Sequence, residues 1–191
     1  MRPRVLVIYG TTEGQTAKIA GAMAETLRKC GVSVDLAEAG PGWDPEPDDY
    51  AAVIVAASVH AGGYQRPLRR WVSSHAKALR DRPTVFVSVC LAIVKPTPEV
   101  IRDLTAIMRR FFDATGWTPQ ETKAVAGALP YSKYGWLKRR LMRRIVAKAK
   151  GDIDMTRDYE YTDWDDLRAF TQRFVEANVL PAREPRVPVS A

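Results

Sequence analysis

Three stretches of this chain are apolar almost without a break: Arg4-Val5-Leu6-Val7-Ile8-Tyr9, Ala52-Val53-Ile54-Val55-Ala56-Ala57 and Thr84-Val85-Phe86-Val87-Ser88-Val89. A strand with one wet face alternates apolar and polar residues, whereas a strand buried on both faces reads as a solid run. Such runs belong to parallel sheets covered by helices on both sides, provided that the intervening segments are helical. Here they are. Ile19, Met23 and Leu27, with Ala20 and Ala24, recur at helical spacing, and Gly31 stops that helix. Leu68, Trp71, Val72 and Leu79 mark a helix from near Pro67 to Leu79. Thr97 with Pro98 is a helix start, a cap followed by proline at the first helical position. Val100, Ile101, Leu104, Ile107, Met108, Phe111 and Phe112 are expected to form its apolar face. Thr162 and Asp165 read as a variant capping box for a last helix with the face Leu167, Phe170, Phe174 and Val175. Val32–Ala37 and Lys123–Leu129 bring the strands to five, and the proline-rich stretch 40–49 is a loop.

Right-handed crossovers joining five parallel strands favour the order 2-1-3-4-5, an α/β three-layer fold of the flavodoxin-like kind. A chain of 191 residues suits one domain, expected over residues 1–180 with a proline-rich tail at 181–191. No apolar run approaches the roughly 20 residues needed to span a bilayer. The start shows no signal-peptide pattern, so a cytoplasmic protein is expected. Cys30 and Cys90 are too few for a disulfide framework, and with His60 and His75 they form no metal-ligand spacing, so no metal is expected.

In open parallel sheets a ligand binds beyond the carboxyl ends of the strands, where the direction of connection reverses. That point falls between strands one and three, and the loop Gly10-Thr11-Thr12-Glu13-Gly14-Gln15-Thr16 occupies it. Thr11, Thr12 and Thr16 offer hydroxyls, the glycines allow close backbone approach, and a following helix start favours an anion. The loop lacks both the lysine of a P-loop and the spacing of a dinucleotide fingerprint. A monophosphate held by hydroxyls and amides points to FMN.

Charge is unevenly spread. Nine basic residues and no acidic one lie between Thr122 and Gly151. Removing those nine from the 29 basic residues leaves 20 against 22 acidic ones, a net −2 where the whole chain carries +7. Leu137, Leu141, Ile145 and Ala149 repeat every four residues, preceded by Tyr131, Tyr134 and Trp136. This predicts an amphipathic helix within an insertion at 130–161, with Lys133, Lys138, Arg139, Arg140, Arg143 and Arg144 on or beside its basic face. Such a helix suits an anionic membrane surface, an acidic substrate or nucleic acid, or packs on the body with its charge solvated.

Tyr9–Thr16 resembles the phosphate loop of flavodoxins. That resemblance places the flavin ring between the loops after strands three and four, here Ser58-Val59-His60-Ala61-Gly62-Gly63-Tyr64 and Ser88-Val89-Cys90-Leu91-Ala92. Tyr64 would stack on the ring or edge it, and Cys90 would be a passive neighbour rather than a redox thiol. Ala126–Leu129, Tyr131, Tyr134, Trp136, the basic helix and the exit Tyr161-Thr162-Asp163-Trp164 resemble the menaquinone-dependent protoporphyrinogen IX dehydrogenase family, as do Ala57–Val59 with Gly63-Tyr64 and Ser88-Val89 with Lys95-Pro96. His60 replaces an expected arginine and Cys90 an expected asparagine, and the segment at Lys95-Pro96 is shorter than the family pattern. The resemblance implies FMN-dependent oxidation of a porphyrinogen with electrons passed to a respiratory quinone, menaquinone in particular. It implies a position on the inner face of the cell membrane, no nucleic-acid partner and no catalytic acid or base, the flavin carrying the chemistry. The other readings are a flavodoxin-type electron carrier, an FMN-dependent quinone reductase, and a non-enzymatic basic adaptor.

Overall fold

The computed structural model describes residues 2–129 and 158–180. Tyr131, Lys133, Tyr134, Trp136, Lys138, Arg139, Arg140, Arg143 and Arg144 lie outside the described residues, as does the tail at 181–191. Five strands, β1 (Arg4–Gly10), β2 (Ser33–Glu38), β3 (Ala52–Ser58), β4 (Thr84–Cys90) and β5 (Glu121–Ala126), form one sheet in the order β2-β1-β3-β4-β5. All four pairings are parallel, with Val5 beside both Val34 and Ala52. Chain order reverses at β1, which therefore has crossovers leaving it on opposite sides.

Both faces of the central strands are dry, the reason for their unbroken apolar sequence. Val5 and Val7 join Ile54 and Val87 under α1 (Gln15–Lys29) and the last helix, α5 (Trp164–Asn178). Leu6 and Ile8 join Val53, Val55 and Phe86 under α2 (Arg66–Ser74), α3 (Ala76–Arg80) and α4 (Pro98–Thr115). Leu167, Phe170, Phe174 and Val175 of α5 are all buried, as their spacing requires. Thr97 caps α4 by accepting from the Val100 N–H at 3.3 Å.

The structure departs from the sequence reading at several points. The segment Pro67–Leu79 is two helices, because His75 leaves helical geometry (φ −108°, ψ 13°) while its ring packs at a tilt of 32° against Trp71. Ile101 is 50% exposed rather than part of the α4 core face. The run Lys123–Leu129 is not one strand. Strand β5 ends at Ala126, and after Gly127 the chain turns off the sheet as β6 (Ala128–Leu129), which pairs antiparallel with β7 (Tyr159–Glu160). The cap of α5 is Asp163, whose Oδ1 accepts from the N–H groups of Asp165 and Asp166 at 3.1 and 3.0 Å. Thr162 is freed for a different task.

Candidate functional site

A cleft of about 140 Å³ opens at the carboxyl ends of the strands, on the β1/β3 reversal. Its first wall is Thr11, Thr12, Glu13, Gln15 and Thr16. Gly14 shapes this wall: at φ 95° it turns the chain into α1, and its N–H donates to Thr11 Oγ1 at 2.9 Å. A β-carbon is disfavoured at that φ, which accounts for the glycine. No side chain caps α1, so the first N–H groups of the helix face the cleft end without a protein partner from a cap. Thr16 Oγ1 lines the same wall, buried and with no hydrogen-bond partner. A buried hydroxyl left unpaired costs about 1–3 kcal/mol. A phosphate oxygen would satisfy it, and the loop presents no carboxylate there except Glu13, which has a partner of its own.

The second wall is Ser58, Val59 and His60, leaving β3. His60 and Gly63 exchange backbone hydrogen bonds of 2.9 and 3.1 Å. The two residues between them, Ala61 (φ 49°) and Gly62 (φ 74°), are both left-handed, giving a tight primed-type turn. The third wall, Val89 and Leu91, leaves β4, and Gly127 with Ala128 closes the far side. At Gly127 an added β-carbon would lie 3.4 Å from Val89 Cγ1, in contact with the third wall.

Two side chains that sequence reasoning missed hold these walls in register. Gln65 Nε2 reaches Thr12 Oγ1 at 3.0 Å, Ser58 Oγ at 2.8 Å and Ser58 O at 3.1 Å, tying the first wall to the second. It sits over Gly10, where a β-carbon would come within 3.0 Å of Gln65 Cβ and Oε1. Thr162 ties the first wall to the fourth: it donates to the Ala126 carbonyl at 2.8 Å and accepts from Gln15 Nε2 at 3.0 Å. Next to it, Trp164 Nε1 donates to Glu160 at 2.8 Å and Lys18 lies 5.1 Å from the Trp164 ring centre. The exit Tyr161-Thr162-Asp163-Trp164 is thus docked on the start of α1. The only sequence signal for Gln65 was its place just before a helix start, and its partner Thr12 is 53 residues away.

Other predicted site residues lie elsewhere. The Tyr64 ring packs edge-on against Phe86 with centroids 5.1 Å apart, and its hydroxyl pairs with Ser88 Oγ at 2.7 Å. Tyr64 and Ser88 therefore face the core cluster and not the cleft, and burial pushes the Tyr64 phenol up to about 12. Gly62 and Gly63 line a second hollow on the other side of the turn. Cys90 and Ala92 flank Leu91 without lining the cleft. Burial raises the Cys90 thiol, with the backbone of Ala92 and Ile93 pulling partly the other way, so it is a poor nucleophile at neutral pH. Among the described residues there is no group of His, Cys, Asp and Glu that could hold a metal ion. Lys123, one of the nine basic residues counted from the sequence, pairs with Asp166 at 2.5 Å and is not free to meet a ligand.

The fold is shared with a short-chain flavodoxin associated with a bacterial microcompartment (TM-score 0.54, 14% identity, 93% of this chain and 99% of that one). It is also shared with flavodoxin 2 from Bacillus cereus (TM-score 0.53, 13% identity, 91% and 99%). In sequence, the chain is 29% identical over 181 residues to the protoporphyrinogen IX dehydrogenase [quinone] of Escherichia coli K12, covering 93% of this chain and 98% of that protein. The protein of the same description from Leishmania major is 30% identical over 187 residues, 97% of this chain and 79% of that one. Residues 6–156 match the Flavodoxin_5 family, described as a flavodoxin domain. The chain therefore belongs to the flavodoxin domain family and, within it, to the family of the quinone-linked protoporphyrinogen IX dehydrogenases.

Proposed function

We propose that this chain is an FMN-dependent dehydrogenase that oxidises protoporphyrinogen IX to protoporphyrin IX and passes the electrons to a quinone. The observation that carries the reading is likeness to quinone-linked protoporphyrinogen IX dehydrogenases over nearly the whole chain, rather than over a flavin-binding core alone. The cleft fits the cofactor on its own terms. Thr11, Thr12, the start of α1 and the unpaired Thr16 hydroxyl would hold the phosphate. Ser58, Val59 and His60 on one side, and Val89 and Leu91 on the other, would border the ring.

Held by these residues, FMN would supply the two-electron chemistry between a reduced substrate and an acceptor. Complete oxidation of one porphyrinogen releases six electrons and six protons, which reduce three quinones to quinols. The chain's own contribution is position. Gln65 and Thr162 hold three loops at fixed separation, and the tight turn at His60–Gly63 fixes the edge of the cleft. Leu91, Val89 and Ala128 give that edge an apolar lining.

A peripheral place on the inner, anionic face of the cytoplasmic membrane, with menaquinone as acceptor, completes the proposal. It is supported by the basic, aromatic sequence at 131–150 and by the apolar tail of a respiratory quinone. Among the described residues no helix is long and apolar enough to cross a membrane. We further propose a single domain over 1–180 that carries 130–161 as an insertion.

The test is porphyrin fluorescence from purified, FMN-loaded protein given protoporphyrinogen IX and a menaquinone analogue under anaerobic conditions. Quinone-dependent porphyrin formation well above the enzyme-free rate is expected. An equal rate with and without protein would overturn the assignment.

A further inference from the structure

On the far side of the His60–Gly63 turn lies a second hollow, of about 260 Å³. Its floor is apolar and aromatic, from Tyr64, Ile107 and Phe111. Two guanidinium groups stand at it, Arg69 from α2 and Arg110 from α4, and no acidic residue lines it. Among the described residues neither arginine has an ion pair, and Arg110 makes a long hydrogen bond of 3.4 Å to the Gly62 carbonyl. Arg4, Arg82 and Arg168 are neutralised by Asp35, Asp48 and Asp165, whereas Arg69 and Arg110 stand together at an apolar floor with no acidic residue beside them.

The place of the hollow restricts what it can take. Val59 and His60 border the main cleft while Gly62 and Gly63 border the hollow, so a single four-residue turn separates them. The matching chemistry is a short apolar arm ending in a carboxylate. The methylenes would lie over Ile107 and Phe111, and the carboxylate would meet the planar forks of Arg69 and Arg110.

We propose that this hollow is a carboxylate subsite, binding a propionate arm of the tetrapyrrole while the macrocycle lies over the turn toward the main cleft. The inference rests on the substrate assignment above for the identity of the arm. It does not rest on that assignment for the existence of an anion-binding hollow.

The test uses FMN-loaded, full-length protein, wild type and the variants Arg69→Gln, Arg110→Gln and the double Gln variant. The probe is mesoporphyrin IX, a dicarboxylate porphyrin that cannot be further dehydrogenated in this way. Its affinity is read by fluorescence beside that of its dimethyl ester. Each single variant is expected to weaken the dicarboxylate about tenfold, within the range of charge-assisted pairs at a partly exposed site. The ester should bind wild type and the double variant equally, and raised salt should weaken the acid only in wild type. Circular dichroism and retained FMN report the fold, and a double Lys variant, keeping the charge, should recover part of the affinity. Protoporphyrinogen kinetics in parallel should show KM rising with kcat little changed.

Loss of acid binding in the variants without quinone-dependent turnover in wild type would keep the subsite and remove the reaction. Turnover with an unchanged KM, and acid and ester bound alike by every protein, would overturn the subsite. Equal loss of acid and ester in the Gln variants would also overturn it, since the arginines would then act on packing and not on the carboxylate.

Discussion

Replacing Thr16 by valine separates a ligand-binding hydroxyl from a structural one, because the two roles predict opposite signs. Thr16 is fully buried in the first turn of α1, and its Oγ1 has no partner. Valine keeps the β-branched shape and exchanges the hydroxyl for a methyl group. In the apo protein this removes a desolvated, unsatisfied group worth about 1–3 kcal/mol, so the variant should be more stable than wild type. For a chain of this size each kcal/mol moves Tm by about 2–4 °C, a shift that differential scanning fluorimetry resolves. With FMN present the order should reverse. A hydrogen bond to a charged phosphate is worth about 1.5–3 kcal/mol, so Kd for FMN should rise roughly 10- to 150-fold, measured by quenching of flavin fluorescence. The Tm curves of the two proteins should therefore cross as FMN is titrated in. Thr16→Ser, which keeps the hydroxyl, should keep most of the affinity. An apo Thr16→Val protein less stable than wild type, with unchanged FMN affinity, would refute the reasoning.

Gly10→Ala should force Gln65 away from Thr12 and Ser58, since the new β-carbon would lie 3.0 Å from Gln65 Cβ. A loss of about 1–3 kcal/mol in urea unfolding is expected, shrinking sharply when Gln65→Ala is combined with it. Ala61→Gly should stabilise the protein by about 0.5–1 kcal/mol, because alanine at φ 49° pays a left-handed penalty that glycine avoids. Tyr50 and Tyr64, each raised to about 12 from an ordinary 10, stay protonated in the fold after the unfolded chain has begun to ionise. Stability is therefore unaffected by these groups below pH 10 and falls as pH rises from about 10 to about 12, a slope that urea titrations should find reduced in Tyr64→Phe. Cys90 should alkylate with iodoacetamide more slowly than a free thiol at pH 8, and Cys90→Ala should retain FMN.

What the sequence made legible was whatever depends on periodicity and on local caps. The central strands, the buried face of α5 and the Thr97 cap follow from short-range patterns, and parallel order then follows from crossover handedness. What it hid depends on contacts between distant segments. Nothing near Lys123 says that β5 stops at Ala126. The break comes from the far end of the excursion, where the Tyr161 N–H donates to the Gly127 carbonyl at 3.1 Å. Thr162 has the residue type of a cap, yet Asp163 takes that place while Thr162 bridges Gln15 and Ala126. Tyr64 carries the amphipathic character of a ligand-facing aromatic, but Phe86 and Phe111 offer it two edge contacts and Ser88 a hydroxyl partner inside. In the first loop the chemistry could be read because the backbone conformation is local, as Gly14 at φ 95° shows. In the loops after β3 and β4 it could not, because which side of a turn faces the cleft is set by the neighbouring helices.

The short β6–β7 ladder has a consequence for how this architecture can vary. Leu129 faces Tyr159 across an antiparallel pair, so the points where the chain leaves and re-enters the described fold are neighbours. Partners in such a pair lie about 4.5–5.5 Å apart, a gap that a two-residue hairpin loop spans. Loop-closure entropy grows only slowly with length, about 0.6 kcal/mol for each doubling. The ladder is therefore a splice junction: its two strands hold the ends of the intervening sequence together, so a change in the length of that sequence costs the pairing little.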